Sequence, residues 1–299
     1  MNPPTLRHAL LPYLCLVAAA AAWGGTWVLV RGVREEFPPI AIAFWRWVAA
    51  ATMLLPFAWA HLRADWPKYR GHWTAVLILG AIGTVTFAAF GALGVQTTTA
   101  TNASLINSIT PIFCLVFAVF LLGTRVTGQF VVAMILCLVG VLCITTQGRI
   151  ETLLSLGFNH GDLLVLLASA GWAAYTVGLR WKPQGVNGIG FLFIVSIVGL
   201  VLWAPFYLIE IADGRTTIVN GRTVAAALSL GLFPSVIAYI GWNYAVPRVG
   251  AHIAALFGNL VPVFGIGLAI AFLGEALETY HGVGMALIVA GLALVSRGK

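Results

Sequence analysis

The chain has 299 residues, 61% of them apolar and 8% charged, with a mean hydropathy of +0.98. A soluble domain carries about 25% charged residues, so soluble globular, disordered, collagen-like and disulfide-scaffold classes are excluded together. Lys and Arg number 16 against 9 Asp and Glu, a net charge of +7, yet they are scattered singly in short polar breaks, which suits membrane topology rather than a nucleic-acid surface.

A helix needs about 20 residues to cross a hydrocarbon layer of ~30 Å. Ten runs qualify: 9–31, 39–60, 72–93, 99–122, 127–147, 161–181, 188–209, 222–245, 251–273 and 280–296. The first is too long for the apolar region of a cleaved leader and reads as a span. The breaks carry charge, Pro or Gly, as in Arg34-Glu35-Glu36 and Lys182-Pro183-Gln184-Gly185. Spans three and four are separated only by Gln96 to Thr99, and spans eight and nine only by Pro247-Arg248-Val249-Gly250, so both joints are expected to be tight helical hairpins. The expected fold class is an all-α polytopic membrane protein. Cys15, Cys114, Cys137 and Cys143 all lie in apolar runs and read as small buried hydrophobes.

The chain repeats itself. Trp23 and Arg31 in the first span recur as Trp172 and Arg180 in the sixth, at an offset of 149. In the fourth span Ala103-Ser104-Leu105 precedes Pro111-Ile112-Phe113 and Gly123-Thr124. The ninth repeats this as Ala254-Ala255-Leu256, Pro262-Val263-Phe264 and Gly274-Glu275, at an offset of 151. Gly140 and Gly291 match at the same offset. The halves 1–150 and 151–299 then hold five spans each. An odd number of spans makes the second half enter the membrane in the opposite sense. Inverted-topology repeats place a site near the midplane between the halves.

These residues carry a resemblance. The Trp-x8-Arg helix, the Ala-Ser/Ala-Leu helix with its Pro-x-Phe, the Gly-Glu at its end and the following Gly-containing helix resemble two EamA-type repeats. Over essentially its whole length the chain is similar to ten-span members of the drug/metabolite transporter superfamily, among them aromatic amino-acid exporters. The resemblance implies two halves around a central cavity, with spans five and ten peripheral. Thr124 departs from the pattern, since a glutamate is common there.

Enzyme chemistry finds no support in HExxH, CxxC or phosphate-loop patterns, and neither cofactor nor metal is expected. Gly83-Thr84 and Gly91-x-x-Gly94 lie in apolar helices and read as sites of close helix packing. Arg46, seven residues into the second span, is either a counter-charge or gate inside the protein, or an arginine snorkelling to the interface among Trp45 and Trp47. Thr101, Ser104 and Ser108 share one face of the fourth span, and the offset of 151 maps them onto His252, Ala255 and Asn259. Pro111 and Pro262 should bend these two helices and free a carbonyl. The stripes line a cavity or bond neighbouring helices. Trp23, Trp172, Tyr175, Tyr239 and Trp242, with Asn243, lie within spans one, six and eight, Trp23 and Trp172 about mid-span, and are either cavity wall or packing. No Asp or Glu occupies the middle of a span, so obligatory proton coupling is not expected. His252 is the nearest titratable candidate.

The expected function is export of small amphipathic metabolites, most suitably amino acids including aromatic ones, by alternating access and down the gradient. The expected partners are a small-molecule substrate and the lipid bilayer, with no nucleic acid. An intramembrane lipid-modifying enzyme, a proton-coupled drug pump and a nucleotide-sugar carrier are the alternatives. The expected location is a bacterial cytoplasmic membrane. With the N-terminus inside, ten Lys and Arg fall in inside loops, five in outside loops, and Arg46 within a span. Both termini are then cytoplasmic. In a cysteine-free background, a membrane-impermeant maleimide applied to whole cells should label Arg215→Cys and spare Arg125→Cys. The reverse pattern would invert the topology.

Overall fold

The computed structural model describes residues 6–94, 97–154, 157–274 and 276–296. Ten helices among them are long and apolar enough to cross a membrane. They are α1 (Leu10–Val33), α2 (Pro39–Tyr69), α3 (Trp73–Gly91), α4 (Thr101–Leu122) and α5 (Gly128–Thr145), then α6 (His160–Trp181), α7 (Gly188–Ala212), α8 (Gly221–Val249), α9 (Ala251–Phe272) and α10 (Thr279–Ser296). Their bounds agree with the apolar runs, except that α2 continues through the charged stretch to Tyr69 and α8 continues through Pro247 and Arg248 to Val249. Of the matched motif ends, Glu275 lies outside the described residues.

Helix ends must satisfy orphan amides, and the sequence supplies caps. Asn159 and Asp162 form a capping box at the start of α6, and Asn220 and Thr223 form another at the start of α8. Gly123 and Gly274, equivalent at the offset of 151, end α4 and α9 in the left-handed conformation, with φ of 64° and 71°. The joint between α8 and α9 is tighter still, since Gly250 alone, at φ 96°, separates Val249 from Ala251.

The helices are interrupted symmetrically. α3 contains a π segment at Ile82–Thr86, and α8 contains one at Gly231–Ile237. α4 breaks at Ile109 and α9 at Gly258 and Asn259, just before Pro111 and Pro262. The carbonyl that Pro111 deprives of its amide belongs to Asn107, and the Thr110 hydroxyl donates to it at 2.6 Å. In α8, Pro234 does the same to Leu230, whose carbonyl accepts from Ser235 Oγ at 2.9 Å. The expectation of a free acceptor at Pro111 is thus corrected: the neighbouring hydroxyl takes it.

Packing crosses between the repeats. α1 packs mainly against α8 and α9, and α6 mainly against α3 and α4, so the first helix of each half sits among helices of the other. α2 pairs with α7, and α5 with α10. The α2–α7 pair is tied at both ends by carboxylates. Glu210, at the end of α7, accepts from the Ile40 and Ala41 amides at 3.1 and 2.7 Å. Asp65, near the end of α2, accepts from the Asn187 amide at 2.6 Å while Lys68 donates to its other oxygen. Each acid caps the N-terminus of the other helix, where the dipole favours negative charge.

The α5–α10 pair depends on glycine. A Cβ at Gly140 would lie 2.7 Å from the Gly284 carbonyl oxygen, and one at Gly291 would lie 2.7 Å from that of Ala133. Small residues let backbones approach this closely in lipid. Gly140→Leu should therefore cost about 1–3 kcal/mol and lower the melting temperature in detergent. Gly128→Ala, with nothing within 4 Å of its Cβ, should leave it unchanged. Equal melting of both variants would contradict this account of the pair.

Candidate functional site

The five aromatic residues singled out in the sequence converge. Trp23 from α1 meets Trp172 of α6 edge-on at 5.2 Å, and lies 5.2 Å from Trp242 and 6.1 Å from Tyr239, both of α8. Trp172 in turn lies 5.3 Å from Tyr175 and 5.7 Å from both Tyr239 and Trp242. Edge-on and tilted contacts are those that ring quadrupoles favour. Two rings not singled out extend the cluster: Trp47 of α2 stands edge-on to Tyr239 at 5.4 Å, and Phe87 of α3 lies 6.1 Å from Trp172.

The π segments hold this cluster in place. A π turn shifts the hydrogen-bond ladder and leaves carbonyls available to side chains. Trp23 Nε1 donates to the Pro234 carbonyl in the α8 segment at 3.0 Å. The Tyr239 hydroxyl donates to the Gly83 carbonyl in the α3 segment, and Trp203 Nε1 donates to its neighbour Thr84 at 3.2 Å. Gly83 must be glycine here, because a Cβ would stand 2.6 Å from the Tyr175 ring. Trp242 Nε1 donates to Thr176 Oγ1 at 3.3 Å, and the Tyr175 hydroxyl to Asn243 Oδ1 at 2.8 Å. Trp23, Tyr175, Tyr239 and Trp242 are therefore oriented by their polar edges.

Burial separates two layers. Tyr175, Trp242 and Tyr239 are buried and form a floor. Trp23 and Trp172 are only half-buried and keep accessible ring surface. Two polar atoms beside the cluster are buried without hydrogen-bond partners: Asn243 Nδ2 and Arg46 Nε. The Arg46 guanidinium lies over the Trp47 ring at 5.1 Å. Its neighbour Trp45 is exposed and donates to the Tyr207 hydroxyl at 3.0 Å. Of this trio, Trp45 is exposed, Trp47 is buried, and Arg46 is half-buried with its guanidinium against Trp47.

The polar stripes do not converge as a set. Ser104 Oγ lies 3.5 Å from Thr145 Oγ1 of α5. The His252 ring packs against Phe130 of α5 at 4.9 Å. Asn259 is buried beside Cys137 of α5. All three therefore face α5. Ser108 Oγ turns back to the Leu105 carbonyl of its own helix at 2.6 Å. Thr101 is half-buried near the start of α4, Pro111 is buried and Pro262 half-buried at the helix breaks. Among the named polar residues, Asn243 is the one bonded into the ring cluster. Asn107 was not singled out, although its polarity inside an apolar run signalled it; it is exposed and accepts from Ser169 of α6 at 3.4 Å.

Asp162, at the start of α6, is buried but fully engaged by Thr98, Asn102 and the Asn159 amide. Among the described residues no group of three or more His, Cys, Asp or Glu is placed to hold a metal ion. The arrangement offers shape, stacking surface and hydrogen bonding rather than a nucleophile beside a base.

Known proteins resemble the chain over nearly its whole length. The chain is 27% identical over 288 residues to the uncharacterized transporter YyaM of Bacillus subtilis, covering 95% of this chain and 93% of that protein. It is 28% identical to the uncharacterized inner membrane transporter YedA of Escherichia coli, covering 98% and 93% respectively. It is 25% identical to a probable terminal-alkyne amino-acid exporter of Streptantibioticus cattleyicolor, covering 94% and 92%. A solved crystal structure, 20% identical, superposes with a TM-score of 0.75 and covers 95% of both chains, which shows a shared fold. The model of the EamA-like transporter family matches residues 10–146 and 159–297, one copy per repeat. The protein is an integral membrane protein that belongs to the EamA-like transporter family.

Proposed function

We propose that this transporter exports small amphipathic metabolites, amino acids with planar side chains foremost, from the cytoplasm. The observation that carries the reading is the ring cluster: aromatic residues from α1, α6 and α8 meet where the two repeats interlock. Trp23 and Trp172 offer ring faces to an apolar body, and Asn243 Nδ2 offers a donor to a polar end. The likeness to an exporter of an unusual amino acid supports the same class. The halves 1–150 and 151–299 act as the moving repeats. The protein sits in a cytoplasmic membrane with both termini inside.

Counterflow in proteoliposomes preloaded with L-phenylalanine, L-tryptophan or L-leucine tests this. Trp23→Ala and Trp172→Ala should slow aromatic substrates several-fold more than leucine, in line with about 0.5–1.5 kcal/mol for an aromatic pair. Unchanged flux of every substrate in both variants, correctly inserted, would contradict the reading.

Transport runs down the substrate gradient. The acids near the membrane interior, Asp65, Asp162 and Glu210, all serve as caps with bonded oxygens, and none is placed to load and release a proton mid-span. An imposed pH gradient should drive no accumulation of L-phenylalanine above equilibrium. Accumulation would overturn the facilitative mechanism and make His252 the first residue to test.

A further inference from the structure

Arg46 is a half-buried cation within a span, and no acid among the described residues pairs with it. It stands seven residues into α2, about 10 Å along the axis at 1.5 Å per residue. Its Nε is buried and makes no hydrogen bond, and among the described residues it forms no ion pair. The acids of the chain account for themselves. Glu36 is held by Arg222 and Asn220, Asp65 by Lys68 and the Asn187 amide, Asp162 by three donors, and Glu210 by two backbone amides. Glu35, Glu151, Asp213 and Glu278 are exposed, and Glu275 lies outside the described residues.

A cation so placed is costly to keep. The Trp47 face offsets part of that cost, and the rest waits for an anion. The guanidinium lies over Trp47, and Trp47 stands edge-on to Tyr239, so the cation borders the ring cluster through that ring. A guanidinium presents a planar fork that matches a carboxylate. A phosphate ester would call for several cations, and every other described Lys or Arg whose side chain is described is exposed, except the half-buried Lys182 just beyond α6.

We propose that Arg46 receives the substrate's carboxylate, so that the site selects planar apolar carboxylates and rejects amines of the same shape. This deepens the exporter reading and rests on it for the identity of the site, but its test needs no transport.

The test is binding to the purified full chain in detergent, read by quenching of tryptophan fluorescence. The probes are 3-phenylpropanoate, its neutral amide and 3-phenylpropylamine. The wild-type protein should bind the carboxylate about tenfold or more tighter than the amide, the strength expected of a charge-assisted hydrogen bond, and the amine weakest. Arg46→Gln should bring carboxylate and amide within about threefold of each other by losing that bond, while affinity for the amide is retained. Retained amide binding also shows that the variant is folded. Should Arg46→Gln not fold, the wild-type order decides alone. Amine or amide binding as tight as carboxylate, no saturable carboxylate binding, or an unchanged preference in Arg46→Gln would each overturn the proposal. Carboxylate binding without flux of any amino acid would instead sink the exporter reading and leave the Arg46 site standing.

Discussion

In hydrocarbon a backbone group that leaves its helical partner has no water to replace it. That constraint organises the molecule, because four of its helices are interrupted within their spans. The π segments of α3 and α8 release carbonyls, and Tyr239, Trp203 and Trp23 supply the missing donors. The proline breaks of α4 and α8 are repaired by Thr110 and Ser235. The exposed amides at the starts of α2 and α7 are repaired by Glu210 and Asp65. Most of these repairs reach across from the other repeat. Backbone satisfaction and assembly of the halves are therefore one interaction, and the ring cluster is built from it.

The same constraint makes the site suited to a moving protein. A ring held by one hydrogen bond to a π-segment carbonyl is positioned without being locked, since such a bond contributes only about 0.5–1.5 kcal/mol net. The glycines behave differently. Gly140, Gly284 and Gly291 hold α5 against α10 with no room for a Cβ, which makes that pair a rigid edge. Gly83 lies in a π segment and is pressed against Tyr175. Tight packing at the periphery and interrupted helices at the centre are what alternating access asks of such a fold.

Much of the architecture was legible because each span must be about 20 apolar residues long and because Trp23/Trp172, Pro111/Pro262 and Gly140/Gly291 recur at nearly one offset. Part of the convergence was legible for a related reason, since Trp23 and Trp172 fall mid-span, where a bulky polar-edged ring needs partners inside the protein. The direction of the polar stripes was not. A soluble helix shows its inner face by being apolar there, whereas a helix in lipid is apolar all round. Ser104, His252 and Asn259 therefore gave no sign that they face α5. Trp47 was masked by its neighbours Trp45 and Arg46, which suggested an interfacial belt. The π segments left no trace in composition, because Ile82–Thr86 reads as ordinary helix.

The central proposal is that the substrate sits against the half-buried rings of Trp23 and Trp172. The most direct measurement is photolabelling of the reconstituted protein with p-azido-L-phenylalanine, followed by peptide mapping. The account predicts adducts on α1, α6 and α8 around Trp23, Trp172 and Tyr239, suppressed by excess L-phenylalanine. Competed labelling confined to the polar pocket at the loop between α1 and α2, lined by Arg31, Arg34, Glu36 and Arg222, would contradict it.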